Sequence, residues 1–253
     1  MPHPQGRDPH RHGEKVRHAE SAEAGSSLEW ALGQAAWYMQ LDAPVRASIL
    51  AQAREISLDA GGYLFGVGER PRGWYGVIEG LLTWKALDEN GRSLSMAGFS
   101  AGSWFGEATM IRAQPYEYHV TALRHSRLVL IPADACDYLF RHHHAFSNAV
   151  MRHLADRVNF FMGVFAAHVL ADMEVKIARI LASMFNKELH PGTQLHLRIN
   201  QEELANLCGV SRQRCNAVLK SLSKAGLIAI EYNGVTVLDL DGLRHHGAAS
   251  SAV

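Results

Sequence analysis

The chain has 253 residues, 47% of them hydrophobic and 20% charged, a composition typical of a soluble globular protein with one or two domains. Its 25 basic and 25 acidic residues cancel, so the charge of the whole chain gives no indication of a nucleic-acid or membrane partner. The three cysteines, Cys136, Cys208 and Cys215, are too few and too scattered for a disulfide framework, and their spacing matches no zinc motif.

We expect no secretion signal at the amino terminus, because residues 1–20 are polar and charged. The longest nearly apolar run, residues 160–171, is too short to span a bilayer and contains His168. Scattered, unpaired cysteines also suit a reducing compartment. We therefore expect a cytoplasmic protein with no membrane partner.

Residues 1–27 are expected to form a disordered tail, because they combine charges, prolines and histidines with almost no large apolar side chain. Histidines in this tail could bind a metal adventitiously, but a solvated tail is the simpler interpretation. Residues 28–55 predict short helices, one of which begins at Pro44.

Short apolar runs and frequent glycines between Ile56 and Ile131 predict strands, notably at residues 75–78, 81–84 and 120–131. Residues 88–91, Asp-Glu-Asn-Gly, predict a hairpin turn, because Asn-Gly tolerates the positive φ that tight turns need. Several short strands at this spacing indicate an antiparallel sandwich or barrel.

From about Asp134 the pattern becomes helical, and one apolar face follows an alternating spacing of three and four residues. A helix packed on its own domain would show the same pattern, but an exposed face on so long a helix favours a homodimer. The residues of this predicted seam are Met151, Leu154, Val158, Phe161, Phe165 and His168.

Residues 200–226 predict a helix-turn-helix. Asn200 and Glu203 have the spacing of a capping box at the start of the first helix. Gly209 stands where the sharp turn needs a permissive residue, and Ser211 caps the second helix.

Polar side chains of the second helix lie away from its apolar face. Arginine, glutamine and asparagine can pair with guanine and adenine edges, whereas lysine and a helix N-terminus suit phosphates. Between Glu203 and Glu231 there are four basic residues and no acidic one. The candidate DNA-binding residues are Ser211, Arg212, Gln213, Arg214, Asn216 and Lys220.

After Gly226, apolar runs at residues 227–230 and 235–237 flank a turn at Asn233 and Gly234. This pattern predicts a two-stranded wing. A solvated basic helix in an interaction domain is the alternative interpretation. The helix start, the turn, the basic face and the wing together favour a winged helix-turn-helix.

Taken together, these motifs resemble bacterial transcription regulators of the cyclic-AMP receptor protein and FNR (Crp/Fnr) family over roughly residues 40–240. In the first half the matching residues are Gly62, Phe65, Gly68, Glu69, the run at 74–78, Gly80, the 88–91 hairpin, Gly102, Gly106 and Glu107. In the second half they are Asp172, Ile177, Ile180 and the segment 201–227.

The resemblance implies an α+β protein with three parts. These are an N-terminal cyclic-nucleotide-binding-like β-roll (a jelly roll), a long dimerisation helix and a C-terminal winged helix-turn-helix. The expected ranges are 1–27 for the tail, 28–140 for the β-roll sensor, 141–171 for the dimerisation helix, 172–244 for the DNA-binding domain and 245–253 for a second disordered tail.

The resemblance also implies binding of a near-palindromic double-stranded DNA site by two subunits, with Arg212, Gln213 and Arg214 first among the contacting residues. Family members often have Glu at the position of Gln213 and Arg at the position of Ala217, so we do not expect the usual half-site sequence. Gln201, which opens the matching segment, is a further candidate for a DNA contact.

In cyclic-AMP-binding members of the family, a Gly-Glu pair precedes an Arg-Ser pair. The Glu holds the ribose hydroxyl and the Arg neutralises the cyclic phosphate. Gly106 and Glu107 match the first pair, but the Arg-Ser positions fall on Tyr116 and Glu117 when a one-residue deletion is allowed. A carboxylate there would repel the phosphate.

Two hydroxyls on the dimerisation helix bind adenine in the same relatives, and their positions here are Phe161 and Met162. Neither side chain can supply those hydrogen bonds. We therefore expect that this effector pocket does not bind cyclic AMP. An unknown small apolar or gaseous ligand, or no ligand, remains open.

No cofactor is predicted. The first cysteine is Cys136, which excludes the N-terminal cysteine cluster that holds an iron–sulfur cluster in the oxygen-sensing branch. Haem remains an open alternative, with Pro2, His119, His125, His168 and the tail histidines as conceivable ligands, although such histidines are more often solvated.

A metal oxygenase on the β-roll is the rival from another class, and it would need closely spaced His and Glu ligands. No His occurs between His18 and His119 and no nucleophile–base motif appears, so we expect no enzyme and no metal site. A nucleotide-binding regulatory subunit is a second rival. This chain lacks the phosphate Arg and has a helix-turn-helix, and both features speak against that rival. Asp88 and Glu89 resemble a place where relatives touch RNA polymerase, although any solvated hairpin can be acidic.

Overall fold

Three helices precede the first sheet in the computed structural model, which describes residues 23–87, 93–170, 172–186, 189, 195–232 and 234–247. They are α1 (Glu23–Gly33), α2 (Ala36–Met39) and α3 (Ala43–Gln52). Pro44 lies in the first turn of α3, as predicted.

The prediction of a disordered tail is wrong for residues 23–27, because α1 begins at Glu23. The apolar residues that anchor α1, Leu28 and Leu32, are buried among the other helices, and they hold the preceding turn in place. The Ser27 hydroxyl also donates to Oε2 of Glu55, 2.6 Å away. Residues 1–22 lie outside the described residues.

Two four-stranded antiparallel sheets form the β-roll, in the orders β1-β8-β3-β6 and β2-β7-β4-β5. The predicted run at residues 120–131 is divided between two strands that belong to different sheets. The elements are β1 (Arg54–Leu58), β2 (Tyr63–Phe65), β3 (Gly73–Glu79), β4 (Leu81–Leu87), β5 (Ser93–Ser100), β6 (Trp104–Phe105), α4 (Glu107–Arg112), β7 (His119–Ala122) and β8 (Ser126–Pro132).

Strand β3 is buried on both faces, which explains why its sequence is a continuous apolar run rather than an alternating one. Trp74 and Ile78 pack against the helices, whereas Tyr75 and Val77 pack between the two sheets. The predicted hairpin turn at 88–91 lies outside the described residues, but β4 and β5 on either side of it pair as a hairpin requires.

Two helices follow the β-roll, α5 (Ala133–His142) and α6 (His144–Leu170). The extended backbone of His143 separates them, so residues 141–142 belong to α5 and not to the predicted dimerisation helix. Phe146 and Val150 of α6 are fully buried against the sensor. Within the described segments, no helix combines the length and apolarity needed to cross a membrane.

The inward face of α6 contains two residues of the predicted seam. Leu154 packs against the helices of its own domain, and the ring of Phe161 lies 5.0 Å from that of Trp84. Leu154 and Phe161 are therefore half-buried against their own sensor and lie beside the outward face of α6. The side chain of His168 lies outside the described residues.

The outward face of α6 carries an apolar stripe at spacings of four and three residues. Met151, Val158 and Phe165 of the predicted seam belong to it, with exposed fractions of 58%, 56% and 71%. Met162, which is 65% exposed, takes the place that was predicted for Phe161. We call this set the outer stripe: Met151, Ala155, Val158, Met162 and Phe165.

The C-terminal part is a small helical domain with a three-stranded sheet of order β10-β11-β9. The predicted two-stranded wing is present as the antiparallel pair β10 and β11. The elements are α7 (Met173–Ser183), β9 (His196–Leu197), α8 (Gln201–Cys208), α9 (Arg212–Lys224), β10 (Ile228–Glu231), β11 (Gly234–Val237) and α10 (Leu240–Arg244).

The predicted C-terminal disordered tail is wrong for residues 245–247, which fold back on α7. Nε2 of His246 lies 2.9 Å from Oε1 of Glu174, and Gly247 lies directly against Val175. A side chain at Gly247 would collide with Val175. Residues 248–253 lie outside the described residues.

The helical domain docks on the edge of the β-roll. Leu81 of the β-roll is buried in the core of the helical domain. Gly98 of β5 lies so close to Leu207 of α8 that a Cβ atom would come within 3.0 Å of it. Nε of Arg124 also lies 3.1 Å from Oε1 of Glu203, so a sensor-side cation holds an acid of the helix-turn-helix.

Candidate nucleic-acid interface and effector site

The first helix of the predicted helix-turn-helix begins with the predicted capping box. Oδ1 of Asn200 accepts the N–H groups of Glu202 and Glu203 at 3.0 and 2.9 Å. Oε2 of Glu203 accepts the N–H of Asn200 at 2.8 Å, which completes the reciprocal pair. These bonds fix where α8 starts.

The turn between α8 and α9 has the predicted geometry. Gly209 adopts the left-handed region with φ of 64°, a conformation that favours glycine. The N–H of Val210 donates to the carbonyl of Ala205 at 3.0 Å, and Oγ of Ser211 accepts the N–H of Arg214 at 3.3 Å. The connection between the two helices therefore leaves the first helical turn of α9 exposed to solvent.

Helix α9 divides into a buried face and a polar face. Its buried residues are Cys215, Val218, Leu219 and Leu222, which pack in the core of the domain. Gln213, Ala217 and Lys220 are exposed on the opposite face, and Asn216 is half-buried beside them with no hydrogen-bond partner for Oδ1 among the described residues.

The two arginines of the first turn, Arg212 and Arg214, are exposed and flank this face on either side. The structure thus brings the predicted contacts on α9 together on one surface. Ser211 is exposed at the start of that surface, and Gln201 is half-buried at the start of α8. We call Arg212, Gln213, Arg214, Asn216, Ala217 and Lys220 the recognition face.

The wing adds an aromatic residue that sequence reasoning missed. Tyr232, at the end of β10, is 98% exposed. Its position in the sequence indicated this exposure, because a residue directly before the Asn-Gly turn lies at the tip of the wing and away from the core. Asn233 lies outside the described residues.

On the sensor side, Gly106 and Glu107 form the start of α4. Gly106 has φ of 96°, and the carboxylate of Glu107 is almost completely buried. Oε1 of Glu107 lies 2.7 Å from Nε of Arg157, and Oε2 accepts the indole N–H of Trp74 at 3.3 Å. The group that holds a ribose hydroxyl in cyclic-AMP binders is therefore engaged within the protein.

His153 completes this buried cluster. Its Nε2 lies 2.9 Å from Nη2 of Arg157 and 3.0 Å from the carbonyl of Trp104. Burial lowers the pKa of His153, and Arg157 lowers it further against the opposing effect of Glu107. Burial alone would raise the pKa of Glu107, but Arg157 and His153 outweigh it, so that pKa is lowered.

An aromatic cluster surrounds Tyr116, the residue to which the resemblance assigns the position of the phosphate Arg. Tyr116 is fully buried, and its ring stacks on Phe65 with 3.7 Å between ring centroids. Burial strongly raises the pKa of Tyr116, so its hydroxyl stays neutral. The ring of Tyr118 contacts the rings of Phe65, Tyr116 and Trp84. The ring of Trp84 in turn contacts that of Phe161.

The six predicted pocket residues thus divide into two groups. Glu117 is exposed, and Met162 faces away from its own sensor on the outer stripe. The inward group consists of Gly106, Glu107, Tyr116 and Phe161.

Sequence reasoning missed Arg157, His153 and Arg124. The spacing of His153 and Arg157 by one helical turn, on the same face as Val150, was the available signal. It did not stand out, because a charged residue on a helix is usually solvated. No local pattern identified Arg124, because its partner Glu203 lies in another domain.

Two of the conceivable haem ligands have described side chains, and each of them contacts another side chain of the protein. Nδ1 of His119 hydrogen-bonds the hydroxyl of Tyr63, and His125 lies at the surface, 3.6 Å from Asp59. The described part of the chain contains no group of three or more His, Cys, Asp or Glu residues that could hold a metal. Pro2, the tail histidines, Asp88 and Glu89 lie outside the described residues.

Both halves of the chain match family models. A cyclic nucleotide-binding domain matches residues 55–143, and a Crp-like helix-turn-helix domain matches residues 175–246. The chain belongs to the Crp/Fnr family. It is accordingly a transcription regulator with a DNA-binding helix-turn-helix, and the predicted Crp/Fnr fold is confirmed.

Among its Crp/Fnr relatives, the transcriptional regulator LdrP of Thermus thermophilus is 27% identical over 188 residues, which cover 73% of this chain and 93% of LdrP. The CRP-like cAMP-activated global transcriptional regulator of Mycobacterium tuberculosis is 23% identical over 215 residues, 84% of this chain and 96% of that protein.

Solved structures of the Crp/Fnr fold give the same overall match. FixK2 from Bradyrhizobium japonicum has a TM-score of 0.63 at 14% identity, with 76% of this chain and 96% of that chain covered. A variant of CooA from Carboxydothermus hydrogenoformans has a TM-score of 0.59 at 18% identity, with 78% and 89% covered. At these identities the likeness establishes the fold alone.

The buried cluster predicts how stability depends on pH. Unfolded His153 and Glu107 take up protons near pH 6.5 and 4.5, whereas both folded groups have lowered pKa values. Both groups therefore stabilise the fold at neutral pH, and this stability is lost as the pH falls below 6.5 and then below 4.5. Each fully linked group adds at most about 1.4 kcal/mol per pH unit.

Urea unfolding at a series of pH values measures this dependence. We expect His153→Gln to flatten the slope of the free energy of unfolding below pH 6.5. His144→Gln, an exposed histidine at the start of α6, is the matched control and should leave the slope unchanged. Equal slopes for the two variants would contradict the prediction.

Proposed function

We propose that this regulator is a homodimer that binds a specific double-stranded DNA site through α9 and does not respond to cyclic AMP. The observation that carries the proposal is the exposed recognition face, which stands in a stretch of 27 residues with four basic side chains and no acidic one. A polyanion meets no like charge there.

Base reading is assigned to the recognition face. Gln213 and Asn216 offer amide groups that suit adenine edges, and Arg212 offers the bidentate donor that suits guanine. Arg214 and Lys220 suit backbone phosphates. Ser211 and Gln201, at the starts of their helices, are placed for phosphate contacts.

Arg212→Ala tests this assignment. Because one good bidentate pair contributes about 1–3 kcal/mol, we expect operator affinity to fall roughly five- to 150-fold. Footprinting, with and without cell extract, first identifies the operator, and fluorescence anisotropy then measures the affinity. Arg141→Ala, an exposed arginine of α5, is the control, and unchanged affinity of the Arg212 variant would refute the assigned role.

The outer stripe supports the homodimer. Met151, Val158, Met162 and Phe165 are large apolar side chains, more than half exposed on one face of α6. Spacings of four and three residues are those of two helices that pack along a common seam. A second copy would cover the stripe and set two recognition helices about one helical turn of DNA apart.

Val158→Glu tests the dimer, because a carboxylate buried between two copies repels its symmetry mate. We expect the wild-type protein to sediment as a dimer and the variant as a monomer. Tyr138→Glu replaces another exposed large hydrophobic residue on α5, outside the stripe, and should remain dimeric. A monomeric wild type at micromolar concentration would overturn the proposal.

The filled sensor supports the proposed lack of a cyclic-AMP response. The carboxylate of Glu107 is held by Arg157, the ring of Tyr116 stacks on Phe65, and the ring of Phe161 lies 5.0 Å from that of Trp84. The residues that align with the Arg-Ser pair of cyclic-AMP binders are Tyr116 and Glu117, and neither carries a positive charge.

Calorimetry with cyclic AMP tests this directly, and we expect no saturable heat at micromolar concentrations. A cyclic-AMP-activated relative provides the positive control. Cyclic AMP that binds at micromolar concentration, or that raises operator affinity, would contradict the proposal.

Several finer points are part of the same proposal. We expect a cytoplasmic regulator without enzymatic activity, cofactor or metal, and a contact with RNA polymerase near Asp88 and Glu89. Another small ligand, or haem, remains the alternative for the sensor. Absence of a Soret band after haem supplementation would remove haem.

A further inference from the structure

A groove of about 350 Å³ lies where α6, α7 and α10 meet, at the junction between the sensor and the DNA-binding domain. Its lining includes Asn159 and Phe160 of α6, Arg179 and Ser183 of α7, Asn186 just after α7, and Arg244 of α10. We propose that this hinge groove binds a small phosphorylated ligand.

The charge of the hinge groove is positive. Arg179 and Arg244 both line it, and none of its described lining residues is acidic. Two guanidinium groups match the charge of a phosphate dianion, and each can donate two parallel hydrogen bonds to phosphate oxygens. Among the described lining residues, a bound phosphate would meet two cations and no acid.

The two arginines are available to a ligand. Nε of Arg179 is buried and has no hydrogen-bond partner among the described residues, which is an unfavourable state for a charged donor. Arg244 contacts Asp241 at 3.2 Å, but the side chain of Asp241 is 82% exposed. Exposed ion pairs are weak, so Arg244 can exchange this partner for a phosphate.

The other walls suit the rest of a small molecule. Asn159 brings an amide group to the groove, and Phe160 gives it an aromatic wall. Asn186 also lines the groove, and its Oδ1 accepts the N–H of Leu189 at 3.2 Å. The volume is at the lower end of the range for small-molecule sites. A metabolite with a phosphate or diphosphate group and a small organic part fits this combination, whereas a large dinucleotide does not.

Phosphate could also come from the DNA backbone, but the shape of the groove favours a free ligand. Asn159, Phe160 and Gly163 of α6 form one wall, so the arginines lie in a cleft between two helices. Neither arginine belongs to the recognition face of α9, which is the surface that we assign to DNA. The experiment below separates the two sources.

The position of the hinge groove gives the ligand a consequence for DNA binding. Ala182 lines the groove and is also buried in the core that includes Cys215 and Leu219 of α9. A phosphate held by Arg179 against α6 would fix the angle between the dimerisation helix and the domain that carries α9. This regulatory step rests on the proposed function, whereas the binding site does not.

Calorimetry on the full-length, DNA-free protein tests the site, with inorganic pyrophosphate as the probe at constant ionic strength. We expect saturable binding that Arg179→Gln and Arg244→Gln each weaken at least tenfold. Arg141→Gln, an exposed arginine of α5, should bind like the wild type. Thermal unfolding without ligand checks that each variant folds. If Arg179→Gln does not fold, Arg244→Gln still tests the site, because Arg244 is exposed.

Each outcome decides the proposal. Loss of binding in both groove variants supports it. Absence of saturable binding to the wild type, or equal affinity in the groove variants and the control, would overturn it. In a further outcome, the wild type binds no pyrophosphate while Arg179→Gln weakens operator binding. That result would assign Arg179 to DNA and would also overturn the proposed ligand site. Arg212→Ala should still bind pyrophosphate, because Arg212 does not line the hinge groove. Failure of the DNA-binding proposal can therefore be distinguished from failure of the ligand-site proposal.

Discussion

The buried carboxylate of Glu107 is the constraint on which the rest of the architecture depends. A charge removed from water is tolerated only with a fixed partner of opposite charge and satisfied hydrogen bonds. That partner, Arg157, comes from α6, and His153 supports it one turn earlier. The sensor therefore fixes the rotation of α6 about its own axis.

Once that rotation is fixed, the two faces of α6 follow. Leu154 and Phe161 turn toward the sensor together with Arg157, and the outer stripe turns toward solvent. The same rotation brings Asn159 and Phe160 to the hinge groove. One buried ion pair thus orients the proposed dimer surface and the proposed ligand site.

A second ion pair, between Arg124 and Glu203, joins the sensor to the DNA-binding domain. Glu203 is also the capping residue of α8, so the same carboxylate stabilises a helix start and a domain contact. Glu203 bounds the acid-free stretch that contains α9, and its charge is paired with a cation of the sensor. The zero net charge of the chain therefore conceals a locally basic surface.

The sequence by itself determined the helix-turn-helix and some strands of the β-roll, whereas the division of the run at 120–131 between two sheets came from the tertiary structure. The capping box of Asn200 and Glu203, the left-handed Gly209 and the cap at Ser211 are interactions between residues a few positions apart, and local patterns specify them. Only the tertiary structure decided which face of α6 is outward, because spacings of three and four residues fit two neighbouring registers equally well. It also decided that Arg157 pairs with Glu107 and that Arg179 and Arg244 line the same groove. Contacts between residues far apart in the chain depend on how whole elements pack, and no local pattern encodes them.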